Sequence, residues 1–166
     1  MSAKKITAAV ITISDRSAAG LRDDISGPLA VNLLKNAGVD VLYTGVTRDD
    51  VRSIAEEVQT AAIHEVDLVF TTGGTGIAPQ DFTARAMDTL LRFDIPGIAE
   101  AIRYEGWKRG VHGAALSRGR AGVLVTGLHR VLVVNAPGSP NGVKDALNVL
   151  LPMLEHTVSQ MHGDDH

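Results

Sequence analysis

Apolar runs of strand character alternate along this chain with segments of helical period, and that alternation predicts the layering of the fold. Residues 5–14, KITAAVITIS, have no polar face, as expected for a strand buried on both sides. A polar stretch, residues 15–26, follows. A helix is then expected with Ser26 as its N-cap and Pro28 in its first turn. Leu29, Leu33, Leu34 and Ala37 would share its buried face, and Gly38 would end it. Residues 39–46 read as a strand. Either Asp49 or Asp50 can cap the next helix, whose buried face would carry Val51, Ile54, Ala55, Val58 and Ala62. A third strand is expected over residues 66–72. The order β-α-β-α-β predicts a parallel sheet with right-handed crossovers.

The second half of the chain is punctuated differently. A helix is expected over residues 82–91, then a break at Asp94-Ile95-Pro96-Gly97, then a helix over 98–104. Residues 106–122 are rich in glycine and basic side chains. Two short strands around Thr126-Gly127 would make the sheet mixed. The last helix, residues 142–161, contains Pro152, which predicts a kink or a break. No repeat, low-complexity tract or linker interrupts residues 1–166, so a single domain is expected.

Composition narrows the chemistry. Hydrophobic residues make up 45% and aromatics only 4%, so the core must come from Ala, Val, Leu and Ile. That suits helices packed on a buried sheet better than a hairpin-rich sandwich. A net charge of -3 gives no electrostatic footprint for nucleic acid. With no cysteine, a disulfide framework, a thiolate metal site and a cysteine nucleophile are excluded. No apolar run is long enough to span a membrane, and the opening MSAKK does not have the form of a signal peptide, so a cytoplasmic protein is expected. The six histidines lack metal-ligand spacing; His156, His162 and His166 read as surface residues. Trp107 is expected to cover a core edge or a subunit interface.

Three polar loops follow strands: residues 13–20 (ISDRSAAG), 71–81 (TTGGTGIAPQD) and 135–142 (NAPGSPNG). In a parallel α/β sheet they would open on one carboxyl edge, where ligands gather. In the middle loop Gly73, Gly74 and Gly76 allow positive φ and close approach to an anion, while Thr72 and Thr75 add hydroxyls. Asp81 is out of place beside phosphates unless a cation bridges them or it accepts a proton; alternatively it caps the following helix. Gly74-Thr75-Gly76 begins like a dinucleotide fingerprint, but Pro79 stands where the third glycine should be. There is also no GK[ST], so neither a dinucleotide oxidoreductase nor a P-loop NTPase is expected.

The string TTGGTGIAPQDFT, with ISDR before it and NAPGSP after it, resembles the Mog/MoaB family of molybdenum-cofactor biosynthesis proteins, in register over roughly residues 5–155. The resemblance implies an α/β fold, a three-layer α/β/α sandwich with a mostly parallel mixed sheet, and a homotrimer. It implies transfer of AMP from Mg-ATP to the terminal phosphate of molybdopterin, with later hand-over to a molybdenum-insertion protein. By the same resemblance Asp81 is the essential aspartate, with Mg²⁺ held there, and Asp49 is a second aspartate near the pterin. Gly73, Gly74, Thr75 and Gly76 form the phosphate-contacting turn beside Thr72. Ser14, Asp15 and Arg16 belong to the first loop, and Asp24, Ser26 and Gly27 to the element after it. Ser117 and Arg118 form an SR pair, and Asn135, Pro137, Gly138 and Ser139 the last loop.

Three positions depart from the family pattern. Gln80 stands where arginine is common, Asn141 where lysine is common, and Arg48 where proline is common. A lost charge-assisted contact is worth roughly 1.5–3 kcal/mol. Lys108, Arg109 or Arg120 could compensate. The rival expectations are a trimeric pterin-binding paralogue without adenylylation and an interaction scaffold on the same fold.

Overall fold

The computed structural model describes residues 4–164; His166 lies outside them. Strands β1 (Thr7–Ile13), β2 (Asp40–Thr47), β3 (Leu68–Thr72), β4 (Phe93–Asp94), β5 (Ala121–Thr126) and β6 (His129–Ala136) form one sheet in the order β2-β1-β3-β6-β5-β4. Strands β2, β1, β3 and β6 are mutually parallel, whereas β5 runs antiparallel to both β6 and β4. The connections are filled by α1 (Asp15–Ala18), α2 (Ser26–Asn36), α3 (Val51–Ala62), α4 (Thr83–Leu90) and α5 (Pro96–Lys108), with a 3-10 turn at His112–Leu116, and α6 (Pro140–His162) follows β6.

Period-two alternation sorts each strand between two cores. Ala8 and Val10 pack with residues of α2, α5 and α6, while Ala9, Ile11 and Ile13 pack with those of α3 and α4. The result is the α/β/α sandwich with a mostly parallel mixed sheet. Two covered faces are why β1 and β3 show no polar alternation. No helix among the described residues is long and apolar enough to cross a membrane.

The structure corrects several local expectations. Ile25, not Ser26, is the N-cap of α2, and Ser26 is buried in the first turn. Ala30 occupies the buried face where Ala37 was expected; Ala37 is exposed at the end of the helix. Helix α5 starts at Pro96, whose missing N–H costs nothing there, and continues to Lys108. Strand β4 was missed because two residues carry no period. Pro152 does not break α6, which runs 23 residues without interruption. An internal proline costs about 3 kcal/mol. Burying Leu147, Leu150, Leu154 and Val158 against the sheet outweighs that, at roughly 1.5–3 kcal/mol for each large side chain.

Candidate active site

Because β1, β3 and β6 are neighbours, the three polar loops leave the sheet side by side, and they are tied together. The Gly73 N–H donates to the Ala136 carbonyl (3.1 Å) and Thr72 Oγ1 to the Pro137 carbonyl (2.8 Å). Ser26 Oγ donates to the Gly138 carbonyl at 2.7 Å. Asp24 accepts from Thr12 Oγ1 (2.6 Å) and from the Gly27 N–H (3.0 Å). Buried Asn135 donates to Thr71 Oγ1 at 2.9 Å and accepts from the Arg120 N–H at 3.0 Å. Ser14 and Ser139 cap α1 and α6, accepting from the N–H groups of Ser17 and Gly142. Asp24, Ser26 and Asn135 therefore spend these polar atoms on tying the loops to one another and to the strands.

The middle loop is fixed by its carbonyls. Thr83 donates from Oγ1 to the Gly73 carbonyl (3.0 Å) and from its N–H to that of Gly74 (3.2 Å). Arg118 donates from its N–H to the Thr75 carbonyl (2.7 Å), from Nε to that of Gly76 (2.8 Å) and from Nη2 to that of Asp81 (2.7 Å). With those carbonyls held, the N–H groups of Gly74, Thr75 and Gly76 donate to no described residue. Three successive amides without a partner are the donors from which an anion nest could be built. Gly73 (φ 106°) and Gly74 (φ 65°) do adopt left-handed backbone, but Gly76 does not. Gly76 instead makes room: a Cβ there would lie 2.6 Å from Asp81 Oδ2. Sequence reading passed over Thr83, whose signal was its place at the end of the D-x-T string.

The two aspartate ambiguities resolve. Asp50 caps α3, accepting from the Ser53 N–H (2.8 Å) and Oγ (2.7 Å), which leaves Asp49 free of that task. Asp49 Oδ1 accepts from the Phe82 N–H at 2.9 Å, and its own N–H donates to Asp15 Oδ1 at 3.0 Å. Burial raises the Asp49 pKa, the Phe82 N–H opposes that, and the charges of Asp81, Asp15 and Asp50 raise it further. Asp81 does not cap α4, whose N-cap is Phe82 without a side-chain bond. Its Oδ2 turns back to accept from the Ala78 N–H at 2.9 Å, and Oδ1 accepts from no described residue.

Two cavities meet at this point. One, of about 430 Å³, is lined by the carboxylates Asp23, Asp24, Asp49 and Asp81, with Arg22 the single cation in its wall. The other, of about 630 Å³, has an apolar wall of Ile77, Val111, Ala114 and Leu116 and contains Ser117, Asn141, Arg109 and Asp145. Both are lined by Gly74, Asp81, Gly138 and Ser139. Arg16 lies elsewhere, in a recess with Asp15 and Arg48, and among the described residues it makes no ion pair with Asp23 or Asp24. Of the basic residues that could compensate for Gln80 and Asn141, Lys108 pairs with Glu105, and Arg120 with Asp88 and Asp94. Only Arg109 reaches a cavity wall. Trp107 is half-exposed and stacks on His112, ring centroids 4.5 Å apart.

The strained charge of Asp49 gives a pH-dependent expectation. Its folded pKa lies above the unfolded value of about 3.8, so ionisation is disfavoured in the fold. That penalty is absent below the unfolded pKa and complete above the folded one. Asp49→Asn keeps an acceptor for the Phe82 N–H, so at pH 7 its melting temperature should exceed that of wild type. The difference should close as the pH falls toward 4. A variant less stable than wild type at pH 7 would show that the Asp49 charge stabilises the fold.

Comparison with known proteins agrees with the architecture. A family model described as a probable molybdopterin binding domain matches residues 9–156. Molybdenum cofactor biosynthesis protein B of Staphylococcus carnosus is 35% identical, over 95% of this chain and 92% of that protein. The molybdopterin adenylyltransferase of Pyrococcus furiosus is 34% identical, over 89% of this chain and 86% of its own. The crystal structure of a molybdopterin biosynthesis protein from Mycobacterium abscessus has a TM-score of 0.85 at 43% identity, covering 93% of this chain and 94% of that one. The chain spans about half (49%) of the longer bifunctional molybdenum cofactor biosynthesis proteins that it also matches. With the three loops, the sheet order and these relatives in agreement, the chain belongs to the Mog/MoaB family of molybdenum-cofactor biosynthesis proteins.

Proposed function

We propose that this protein is a molybdopterin adenylyltransferase, transferring AMP from Mg-ATP to the terminal phosphate of molybdopterin. The observation that carries the reading is the free-amide nest of Gly74–Gly76, beside Asp81 where two cavities meet. A transfer between two substrates needs two pockets with one shared wall, and charge stabilisation at that wall. In the reaction an oxygen of the molybdopterin phosphate attacks the α-phosphorus of ATP. The bond to the β-phosphate oxygen breaks, and pyrophosphate leaves. No protein nucleophile takes part.

The smaller cavity, with four carboxylates against one guanidinium, repels a bare polyphosphate. It suits a nucleotide that arrives with its own magnesium, which neutralises the phosphates. Among the described residues no cluster of three acidic or histidine side chains could hold a resident metal. Asp81 and Asp49 do fit Mg-ATP, because Mg²⁺ is commonly held by one or two carboxylates plus substrate phosphates. Asp81, whose Oδ1 bonds to no described residue, would hold that magnesium and so neutralise the phosphates, while Asp49 orients the Phe82 peptide that follows Asp81. Arg118, two of whose donors hold the carbonyls of Gly76 and Asp81, aims the nest at the transferring phosphate rather than touching it.

The same reading makes residues 1–166 one molybdopterin-binding domain of a cytoplasmic homotrimer that passes its product to a molybdenum-insertion protein, without nucleic-acid or membrane partners. Exposed Gln80 and uncharged Asn141 favour a second reading, a pterin-binding paralogue without adenylylation. Incubation with molybdopterin, ATP and Mg²⁺ separates the two. The enzyme should give one pyrophosphate per adenylylated pterin; pterin binding without pyrophosphate would select the paralogue.

A further inference from the structure

The larger cavity holds a charged pair that the transfer step does not use. Asp145, on α6, is only 5% exposed. It is the one acidic residue on the buried face of that helix. Arg109, just past the end of α5, binds it at both oxygens, Nε to Oδ1 at 2.6 Å and Nη2 to Oδ2 at 2.8 Å. The Arg109 side chain is itself 38% exposed, so the buried partner is Asp145 and the guanidinium reaches it from the cavity rim. The bidentate grip consumes one edge of the guanidinium and fixes its plane. Nη1, with two N–H donors, bonds to no described residue, and Arg109 lines the cavity.

Position and charge limit what those donors can meet. Asp145 lies six residues beyond Ser139, which stands where the cavities join. At 1.5 Å per residue that is about 9 Å along the helix. The pair is therefore set back from the reacting phosphate, at the depth of a distal ring. Its charges largely cancel, so it selects for hydrogen-bond pattern more than for anions. The apolar side chains of Ile77, Val111 and Leu116, which line the same cavity, suit a flat heterocycle.

We propose that Arg109, held in plane by Asp145, is a specificity residue that donates to the ring carbonyl of the pterin and rejects adenine from the larger cavity. Adenine presents an exocyclic amino group where a pterin presents its oxo group, so two donors would face each other. A site built on such a bond discriminates strongly, because the wrong ring leaves it unmade. This inference rests on the part of that reading that makes molybdopterin a ligand of the larger cavity, whether or not it is then adenylylated.

Equilibrium binding tests it without requiring turnover. In Arg109→Met/Asp145→Asn, which leaves no unpaired buried charge, molybdopterin should bind roughly ten- to hundredfold more weakly. Mg-ATP should bind within about twofold of wild type, and adenosine should compete better against molybdopterin than it does in wild type. Arg109→Lys, which keeps a donor, should retain part of the affinity. Equal weakening of both ligands, or unchanged molybdopterin binding in the folded double variant, overturns the assignment. Wild type that binds molybdopterin with this Arg109 dependence but makes no pyrophosphate removes the enzyme reading and leaves this one standing. Wild type that binds no molybdopterin removes both.

Discussion

Asp81→Asn is expected to lower adenylylation by about a thousandfold while the protein stays folded. The estimate follows from what asparagine keeps and what it loses. It can still accept from the Ala78 N–H, so the turn from Ala78 to Asp81 survives. It cannot offer a charged oxygen to the magnesium of Mg-ATP, an interaction worth several kcal/mol at a transferring phosphate. Asp81→Ala should lose the same activity and, in addition, about 1 kcal/mol of stability with the Ala78 bond. The pair of variants thus separates chemistry from loop structure. Asn turnover within tenfold of wild type would reduce Asp81 to a turn-forming residue, and the central assignment would fail.

The largest effect on stability is expected at Gly73, where alanine should cost about 3–5 kcal/mol and lower the melting temperature by roughly 10 °C or more. Two causes add. At φ 106° a side chain is strained wherever it sits, and a Cβ built there lies 2.1 Å from the carbonyl oxygen of Ile13, a backbone atom in β1 that cannot step aside. Gly74 is also left-handed, but its Cβ would meet the Thr83 hydroxyl and the Asp49 carboxylate, which are side-chain atoms. Gly74→Ala should therefore fold more readily than Gly73→Ala while disturbing Asp49. Thermal unfolding of the two variants side by side checks the order; Gly73→Ala as stable as wild type would mean that the loop can relax away from β1.

Much of this was legible because the signals are local. Strands buried on both faces write continuous apolar runs, and α3 writes a helical period, so the layering could be read directly. The choice between Asp49 and Asp50 could not be made from their position before α3, since both fit a cap. The deciding residue is Ser53, three beyond Asp50, whose N–H and hydroxyl both turn to that carboxylate. Gly76 was misread because a glycine can be needed for backbone freedom or for space, and only the approach of Asp81 distinguishes them. Ser26 looked like a cap because its partner, the Gly138 carbonyl, is 112 residues away. Arg109 and Asp145, 36 residues apart, left only a faint trace: a charge inside the apolar period of α6.

Arg118 has one more consequence. Its backbone and guanidinium supply three of the bonds that hold the amide nest in shape, and it lies two residues after Leu116, part of the apolar wall of the larger cavity. Two extended residues reach only about 7 Å. Beyond that reach the wall cannot swing outward with Arg118 still fastened to the nest. One residue, Arg118, thus ties the position of Leu116 in the cavity wall to the shape of the Gly-rich turn.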